Sequence, residues 1–137
     1  MQHRTVLGHM VMEIASSTGS TRLILVDLAY VADDPYAVQL TFRPGHGARV
    51  TWYFARELLI DGLSRAVGEG DVRIRPTGDD LSETSIALHS SFGCVLLLAS
   101  SRSLNAFLDR TDSLVPVGQE LTEQHIDAQL EKILRER

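Results

Sequence analysis

The chain has 137 residues, of which 44% are hydrophobic and 23% charged, a composition typical of one soluble folded domain rather than a disordered chain. Its net charge of −5 argues against nucleic acid or an anionic membrane as a partner, since both attract positive surfaces. The single cysteine, Cys94, excludes a disulfide within the chain and indicates a reducing, cytoplasmic environment.

The sequence predicts neither a signal peptide nor a transmembrane segment. The N-terminal stretch lacks an uninterrupted apolar core, because Glu13 follows soon after Arg4. The longest uncharged stretch, residues 84–101, approaches the length of a membrane span, about 20 residues. It contains five serines, a histidine and a glycine, so two strands joined by a turn at residues 91–93 explain it better.

Apolar runs predict four strands in the first part of the chain. They cover residues 5–15, 22–31 and 36–42 and the alternating stretch that begins at Val50. The second run, RLILVDLAYV, is almost continuously apolar. This pattern predicts that both of its faces are covered, either by the core or by another subunit.

The apolar period changes from that of a strand to that of a helix at Ala55, with almost no loop between them. We expect this helix to continue to a C-terminal cap at Gly68. Gly62 within it favours close packing of the helix on the sheet over a bend. Arg56 and Glu57 lie at the junction, where they either stabilise the corner or face a partner.

The second part of the chain repeats the order of strands followed by a helix. Its predicted elements are strands at 72–76 and within 84–100, a helix at 103–110 capped by Ser103, an extended segment at 112–121, and a tail helix at 122–137 capped by Thr122. Short turns between neighbouring strands imply antiparallel pairing. The fold class is therefore α+β, with two strand-rich units that are each closed by a helix, and a C-terminal amphipathic helix.

No catalytic set, nucleotide motif or metal-ligand spacing occurs in the sequence. The only lysine is Lys132, which excludes a P-loop, and the five histidines lack the spacing of metal ligands. Cys94 lies in the apolar run GCVLLLA, so a buried structural cysteine is favoured over a nucleophile paired with His89. A solvated sheet face is favoured over a nucleic-acid site for the arginines at 43, 49, 73 and 75. We expect no enzymatic activity, no cofactor and no metal.

Four stretches of the sequence resemble the SsgA-like family of sporulating actinobacteria. They are DPYAVQLTF (34–42), VTWYFARELLIDGL (50–63), GEGDVRIRP (68–76) and FLDRTDSLVPVGQE (107–120). The most specific is the run from Trp52 to Leu63, followed by the run from Gly68 to Arg73. The chain is most similar to the SsgB branch of sporulation-specific cell-division proteins. The resemblance covers nearly the whole chain, although the C-terminal segment is weakly patterned in the family, and residues 1–137 are predicted to form one SsgA-like domain.

The resemblance implies a non-enzymatic adaptor in sporulation septation, recruited to division septa, where it recruits or positions the tubulin-like protein FtsZ. It also implies SsgA or related division proteins as partners, a fold similar to the whirly fold of single-strand nucleic-acid binders, and homotrimers. A single-stranded nucleic-acid-binding protein on that scaffold is the alternative function, although the negative net charge leads us to expect no nucleic acid.

Four residues are predicted to bind a partner. Leu130 and Leu134 belong to the apolar stripe of the tail helix, and Arg56 and Glu57 lie at the strand–helix junction. The competing interpretations are that the tail stripe packs on the protein's own sheet and that the junction is only a scaffold corner. In that case Phe54, Leu58 and Leu59 anchor the helix to the sheet.

Overall fold

The computed structural model describes residues 4–15, 19–45, 47–91 and 93–120. Within them the elements are β1 Thr5–Ala15, β2 Thr21–Val31, β3 Ala37–Phe42, β4 Val50–Ala55, α1 Arg56–Gly62, β5 Val67–Glu69, β6 Val72–Thr77, β7 Glu83–Ser90, β8 Gly93–Ser100 and α2 Ser101–Leu114. The predicted tail helix at 122–137 lies outside the described residues. Neither described helix is long and apolar enough to cross a membrane.

The described strands form one antiparallel sheet in the order β4-β3-β2-β1-β8-β7-β6-β5. Two four-stranded meanders therefore meet where β1 lies beside β8. Eleven residue pairs join β1 to β2, but only three, from Glu13 to Ala15 on β1, join it to β8. The predicted α+β class and the order of strands followed by a helix in each half are confirmed.

Helix α2 packs across the part of β1 that β8 leaves open. Phe107 lies against Gly8, where an added Cβ would be 2.7 Å from the aromatic ring. Arg110 donates a hydrogen bond of 2.7 Å to the backbone oxygen of Leu7. The Arg110 side chain and helix α2 thus cover the edge of β1 that β8 leaves open, where backbone groups such as the oxygen of Leu7 would otherwise lack hydrogen-bond partners.

Helix α1 lies where the two ends of the sheet approach each other, because it contacts β4, β5 and β6. Phe54 and Leu59 are buried and Leu58 packs against the core, so the predicted anchoring of this helix is confirmed. The sheet is therefore curled, with α1 bridging its first and last strands.

One face of the sheet forms the core and the other is left open. Along β2, alternate residues such as Val26 and Leu28 are buried, as the period of a strand requires. On the opposite face Leu23 and Leu25 are 72% and 62% exposed, and they continue onto Leu7 and Val11 of β1. Among residues 4–15, 19–45, 47–91 and 93–120, only one face of the predicted two-faced strand is covered.

The helix that follows β4 is shorter than predicted. It ends at Gly62, and the backbone N–H groups of Ser64 and Arg65 close the turn on the oxygen of Asp61. Gly68, predicted as a helix cap, lies in β5, where it pairs with Arg73. The apolar pattern through Val67 fitted a helical face, but pairing with β6 determines the structure there.

The second helix is longer than predicted at both ends. Its N-cap is Ser100, whose side chain accepts a hydrogen bond of 3.2 Å from the N–H of Ser103, the residue predicted as the cap. The helix continues to Leu114, so residues 112–114 are helical and not extended. Pro116 favours an extended conformation for the residue before it, and Val115 is accordingly extended, so the helix ends at Leu114.

The close approach of α1 to the sheet makes Gly62 a sensitive position. An added Cβ would overlap Cγ2 of Ile74 and lie 2.6 Å from its Cβ. We expect Gly62→Ala to lower the free energy of unfolding by about 1–3 kcal/mol, because overpacking outweighs the helix propensity of Ala. Urea denaturation measures this loss, with Gly45→Ala as the control, since nothing lies within 4 Å of that position. Equal stability of the two variants would contradict the packing argument.

Candidate partner-binding site

The junction between β4 and α1 is built around a buried arginine. Arg56 is 1% exposed and is the largest fully buried side chain among the described residues. Its backbone N–H donates a hydrogen bond of 2.7 Å to the oxygen of Tyr36, which continues the pairing of β3 with β4 into the helix. Ala55, the N-cap, offers no side-chain cap, so the register of the strands fixes where α1 begins.

The Arg56 guanidinium binds the C-terminal end of α2. Nη1 donates to the backbone oxygens of Thr111 and Val115, at 3.2 and 2.7 Å. Nη2 donates to Oε1 of Glu120 at 2.8 Å. A cation at this position complements the negative end of the helix dipole and satisfies carbonyl groups near the helix end.

An aromatic ring lies beneath this cation. Cζ of Arg56 is 4.7 Å from the centre of the Tyr30 ring. Burial raises the pKa of Tyr30 to about 12, although the positive charge of Arg56 opposes the shift. The phenol therefore stays protonated and donates a hydrogen bond of 2.8 Å to the oxygen of Pro35.

Glu120 is the anion that makes burial of the arginine possible. Partial burial raises the pKa of the Glu120 carboxyl, but the hydrogen bond and charge of Arg56 and nearby backbone N–H groups, including that of Gly118, outweigh it. The net effect is a pKa below its usual range. We call Arg56, Tyr30, Thr111, Val115 and Glu120 the arginine clamp.

A groove runs along the other side of the junction, beside β4 and α1. Two cavities of about 340 and 330 Å³ adjoin there and share Ala55, Leu58 and Glu69. We call their combined lining the β4 groove: Trp52, Tyr53, Phe54, Ala55, Glu57, Leu58, Asp61, Arg65, Val67, Gly68, Glu69, Asp71 and Val72.

The structure assigns the predicted partner-binding residues to different surroundings. The Arg56 guanidinium is engaged within the chain, and its contacts are those of a residue that stabilises the junction. Glu57, its neighbour, is exposed and lines the β4 groove. Leu130 and Leu134 lie outside the described residues.

Comparison with known proteins decides the family. A family model described as Streptomyces sporulation and cell division protein, SsgA, matches residues 24–120. The chain belongs to the SsgA-like family. The predicted resemblance is thereby confirmed, and it includes both the strand–helix junction and Glu120.

Relatives within the SsgA-like family match most of the chain. The sporulation-specific cell division protein SsgB of Streptomyces coelicolor is 41% identical over 133 residues, covering 96% of this chain and 97% of that protein. SsgB of Thermobifida fusca is 45% identical over 108 residues, covering 78% of each chain.

Two solved structures share the fold of this SsgA-like chain. One comes from work on SsgB mutations that correlate with longitudinal cell division during sporulation of Streptomyces coelicolor. Its TM-score is 0.81 at 40% identity, covering 91% of this chain and 98% of that one. The other is an SsgA-like sporulation-specific cell division protein from Thermobifida fusca. Its TM-score is 0.84 at 36% identity, covering 98% of both chains.

The prediction that Cys94 is buried is wrong. Cys94 is exposed near the β7–β8 turn, because it falls on the outward-facing positions of β8 while Leu97 and Ala99 face the core. It pairs across the hairpin with His89, whose Nε2 lies 3.8 Å from the thiol sulfur.

Among the described residues no three His, Cys, Asp or Glu side chains are grouped to hold a metal ion.

Sequence reasoning missed two parts of the SsgA-like chain's site. It did not pair Glu120 with Arg56, which are 64 positions apart. The available signal was that a buried guanidinium needs an anion, and Glu120 lies within the family motif that ends at residue 120. It also missed the β4 groove, because only the curl of the sheet brings Glu69 and Asp71 beside Trp52.

The pKa of Glu120 predicts a pH-dependent contribution of the clamp to the stability of this SsgA-like protein. Because the pKa is lowered in the folded state, the stabilisation is complete above the unfolded value of about 4.3 and is lost as pH falls through the folded value. We expect Glu120→Gln to lower the free energy of unfolding by about 1–3 kcal/mol at pH 7.

Urea denaturation from pH 7 to pH 3 measures this dependence. The difference between wild type and Glu120→Gln should shrink as the pH falls below about 4.3. Asp109→Asn, at an exposed position on α2, serves as the control and should change stability little at either pH. A difference between wild type and Glu120→Gln that stays constant over this range would contradict the prediction.

Proposed function

We propose that this protein is a non-enzymatic adaptor that recruits or positions FtsZ at sporulation septa through protein–protein contacts. The observation that carries the proposal is the match to sporulation-specific cell division proteins named SsgB, one of which aligns over 96% of this chain and 97% of its own length. SsgA or related division proteins are further proposed partners, and septal recruitment of a cytoplasmic protein follows from the same role.

The described surface supports a role in binding. Rigid elements hold exposed apolar and acidic side chains: the open sheet face carries Leu23 and Leu25, and the β4 groove carries Glu69 and Asp71. An adaptor acts through the binding energy of such surfaces, and a specific contact buries roughly 800 Å² on each partner.

A homotrimer on a whirly-like scaffold is part of the proposal. The open face of β1 and β2 is suited to contact with other copies, because Leu7, Val11, Leu23 and Leu25 expose large apolar side chains on neighbouring strands.

No specific observation favours the nucleic-acid alternative. Arg49 donates to Asp27, and the groove that holds Trp52 is lined with carboxylates.

We expect the wild-type protein to sediment as a trimer and Leu25→Lys as a monomer of 15.1 kDa. Leu25 is exposed within one chain, so the substitution places a charge in the interface at little cost to folding. Sedimentation equilibrium measures the mass. Val117→Lys, at a similarly exposed position, should remain trimeric. A wild-type monomer at micromolar concentration would exclude the oligomer.

The proposed contact with FtsZ includes the tail stripe. We expect wild-type protein to co-sediment with FtsZ filaments and Leu130→Lys/Leu134→Lys to lose most of this binding at unchanged Tm, because the two leucines would be anchors of the docked helix. Co-sedimentation with purified FtsZ and thermal denaturation measure the two effects.

A matched double variant tests whether the stripe itself is responsible. Gln124→Lys/Ala128→Lys adds the same charge on the opposite side of the predicted helix and should still bind FtsZ. Loss of folding in the leucine variant would show that the stripe packs on its own sheet. Failure of the wild type to co-sediment would overturn direct recruitment, and full binding after truncation at Glu120 would exclude the tail.

A further inference from the structure

The β4 groove lies between the two ends of the sheet. β4 and β5 are the terminal strands, and each pairs with one neighbour only among the described residues. Trp52 on β4 and Glu69 on β5 nevertheless line the same cavity. The curled sheet is therefore open along this line, and the outer edge of β4 faces the opening.

The register identifies the backbone groups at that edge. The bond from the N–H of Arg56 to the oxygen of Tyr36 fixes the phase of the ladder, so Phe54 and Trp52 bond to β3. The N–H and C=O groups of Thr51 and Tyr53 then point away from β3. A contact of 2.9 Å between Oγ1 atoms of Thr41 and Thr51 agrees, because side chains are closest in pairs without ladder bonds.

This edge lacks the features that usually protect a terminal strand. The sequence VTWYFA contains no charge and no proline, and β4 is six residues long. Tyr53 is 62% exposed, whereas Phe54 is buried. An unprotected edge of this kind accepts an additional strand, in the manner of β-augmentation.

The charge of the groove limits what that strand can be. Among the described residues, four carboxylates line it, those of Glu57, Asp61, Glu69 and Asp71, and the single cation is Arg65, which pairs with Asp61 at 3.1 Å. Its other side chains are mostly apolar, among them Leu58 and Val72. Apolar surface beside three carboxylates that lack a cationic partner among the described residues, those of Glu57, Glu69 and Asp71, complements a segment that is both apolar and basic.

We propose that the β4 groove binds an extended segment of a partner protein, which adds as a strand to the free edge of β4 and alternates apolar with basic side chains. The inference rests on the proposed adaptor function and names the kind of partner segment. Alternate side chains of the added strand enter the cavity beside Trp52 and Leu58, and basic side chains reach Glu69 and Asp71.

The chain carries a built-in reporter, because Trp52 is its only tryptophan and lines the groove. The probe is the acetylated, amidated peptide KVKVKVKV, and the matched control is EVEVEVEV. We expect a saturable change in Trp52 fluorescence with the lysine peptide only. A third peptide with the lysine sequence and an N-methyl group on every backbone nitrogen has no N–H donor on either edge and cannot pair as a strand, and we expect it not to bind.

Two sets of variants locate the binding. Tyr53→Pro removes the edge N–H and should abolish binding, whereas Tyr53→Ala removes only the side chain and should retain it. Glu69→Lys/Asp71→Lys should weaken binding by about 10-fold or more. Asp79→Lys/Asp80→Lys, in the exposed turn between β6 and β7, makes the same charge change elsewhere and should leave binding intact. Because the N-methylated peptide tests pairing on wild-type protein, a misfolded Tyr53→Pro variant would not decide the result.

Several outcomes overturn the proposal. One is the absence of any fluorescence change up to about 1 mM lysine peptide, a concentration at which a site with a Kd in the millimolar range would be half occupied. Another is equal binding of the glutamate peptide or of the N-methylated peptide. Binding only after truncation at Glu120 would assign the groove to the chain's own tail, and dissociation of an oligomer by the peptide would assign it to a second copy. Wild-type protein that co-sediments with FtsZ but does not bind the lysine peptide would reject the groove proposal and leave the proposed function standing.

Discussion

The structure depends on the burial of one positive charge. Moving a guanidinium out of water is costly, and here Glu120, two backbone oxygens and the Tyr30 ring compensate for it together. Those groups come from β2, from the end of α2 and from the segment after it. Arg56 therefore holds the first helix, the second helix and the sheet in one arrangement, and no apolar side chain of similar size would specify the same contacts.

The clamp also explains why one corner of the protein has two different sides. Toward α2, the charge of Arg56 is buried and paired with Glu120, which is itself only partly exposed. Toward β5, Glu57 and Glu69 remain on an open surface beside half-buried Trp52. The contacts on the α2 side fix the position of the free β4 edge and of Glu57 and Glu69, and binding sites are more precise when they are built on such supported elements.

Local patterns predicted the elements well, and long-range pairing accounts for what they missed. The alternation through β4 and the period change at Ala55 are local, and both are seen in the structure. The end of α1 was misjudged because Val67 fits a helical face and a strand equally, and only pairing with Ile74 decides between them. Cys94 was misjudged because an unbroken apolar run does not reveal which face of β8 is outward. The partner of Arg56 lies 64 residues away, a distance at which no periodicity carries information.

The narrow contact between β1 and β8 has a consequence for how the chain folds. It joins residue 13 to residue 98, and the bond from Arg110 to Leu7 spans 103 positions. Each meander can form from local hairpins. Closing the sheet requires contacts between residues far apart in the sequence, and the entropic cost of closing such long loops makes these contacts form later. On a ribosome, the first strand is synthesised long before α2 emerges to cover it. Its apolar residues and free edge are exposed throughout that interval, so the slow step in folding coincides with the greatest risk of association with the wrong strand.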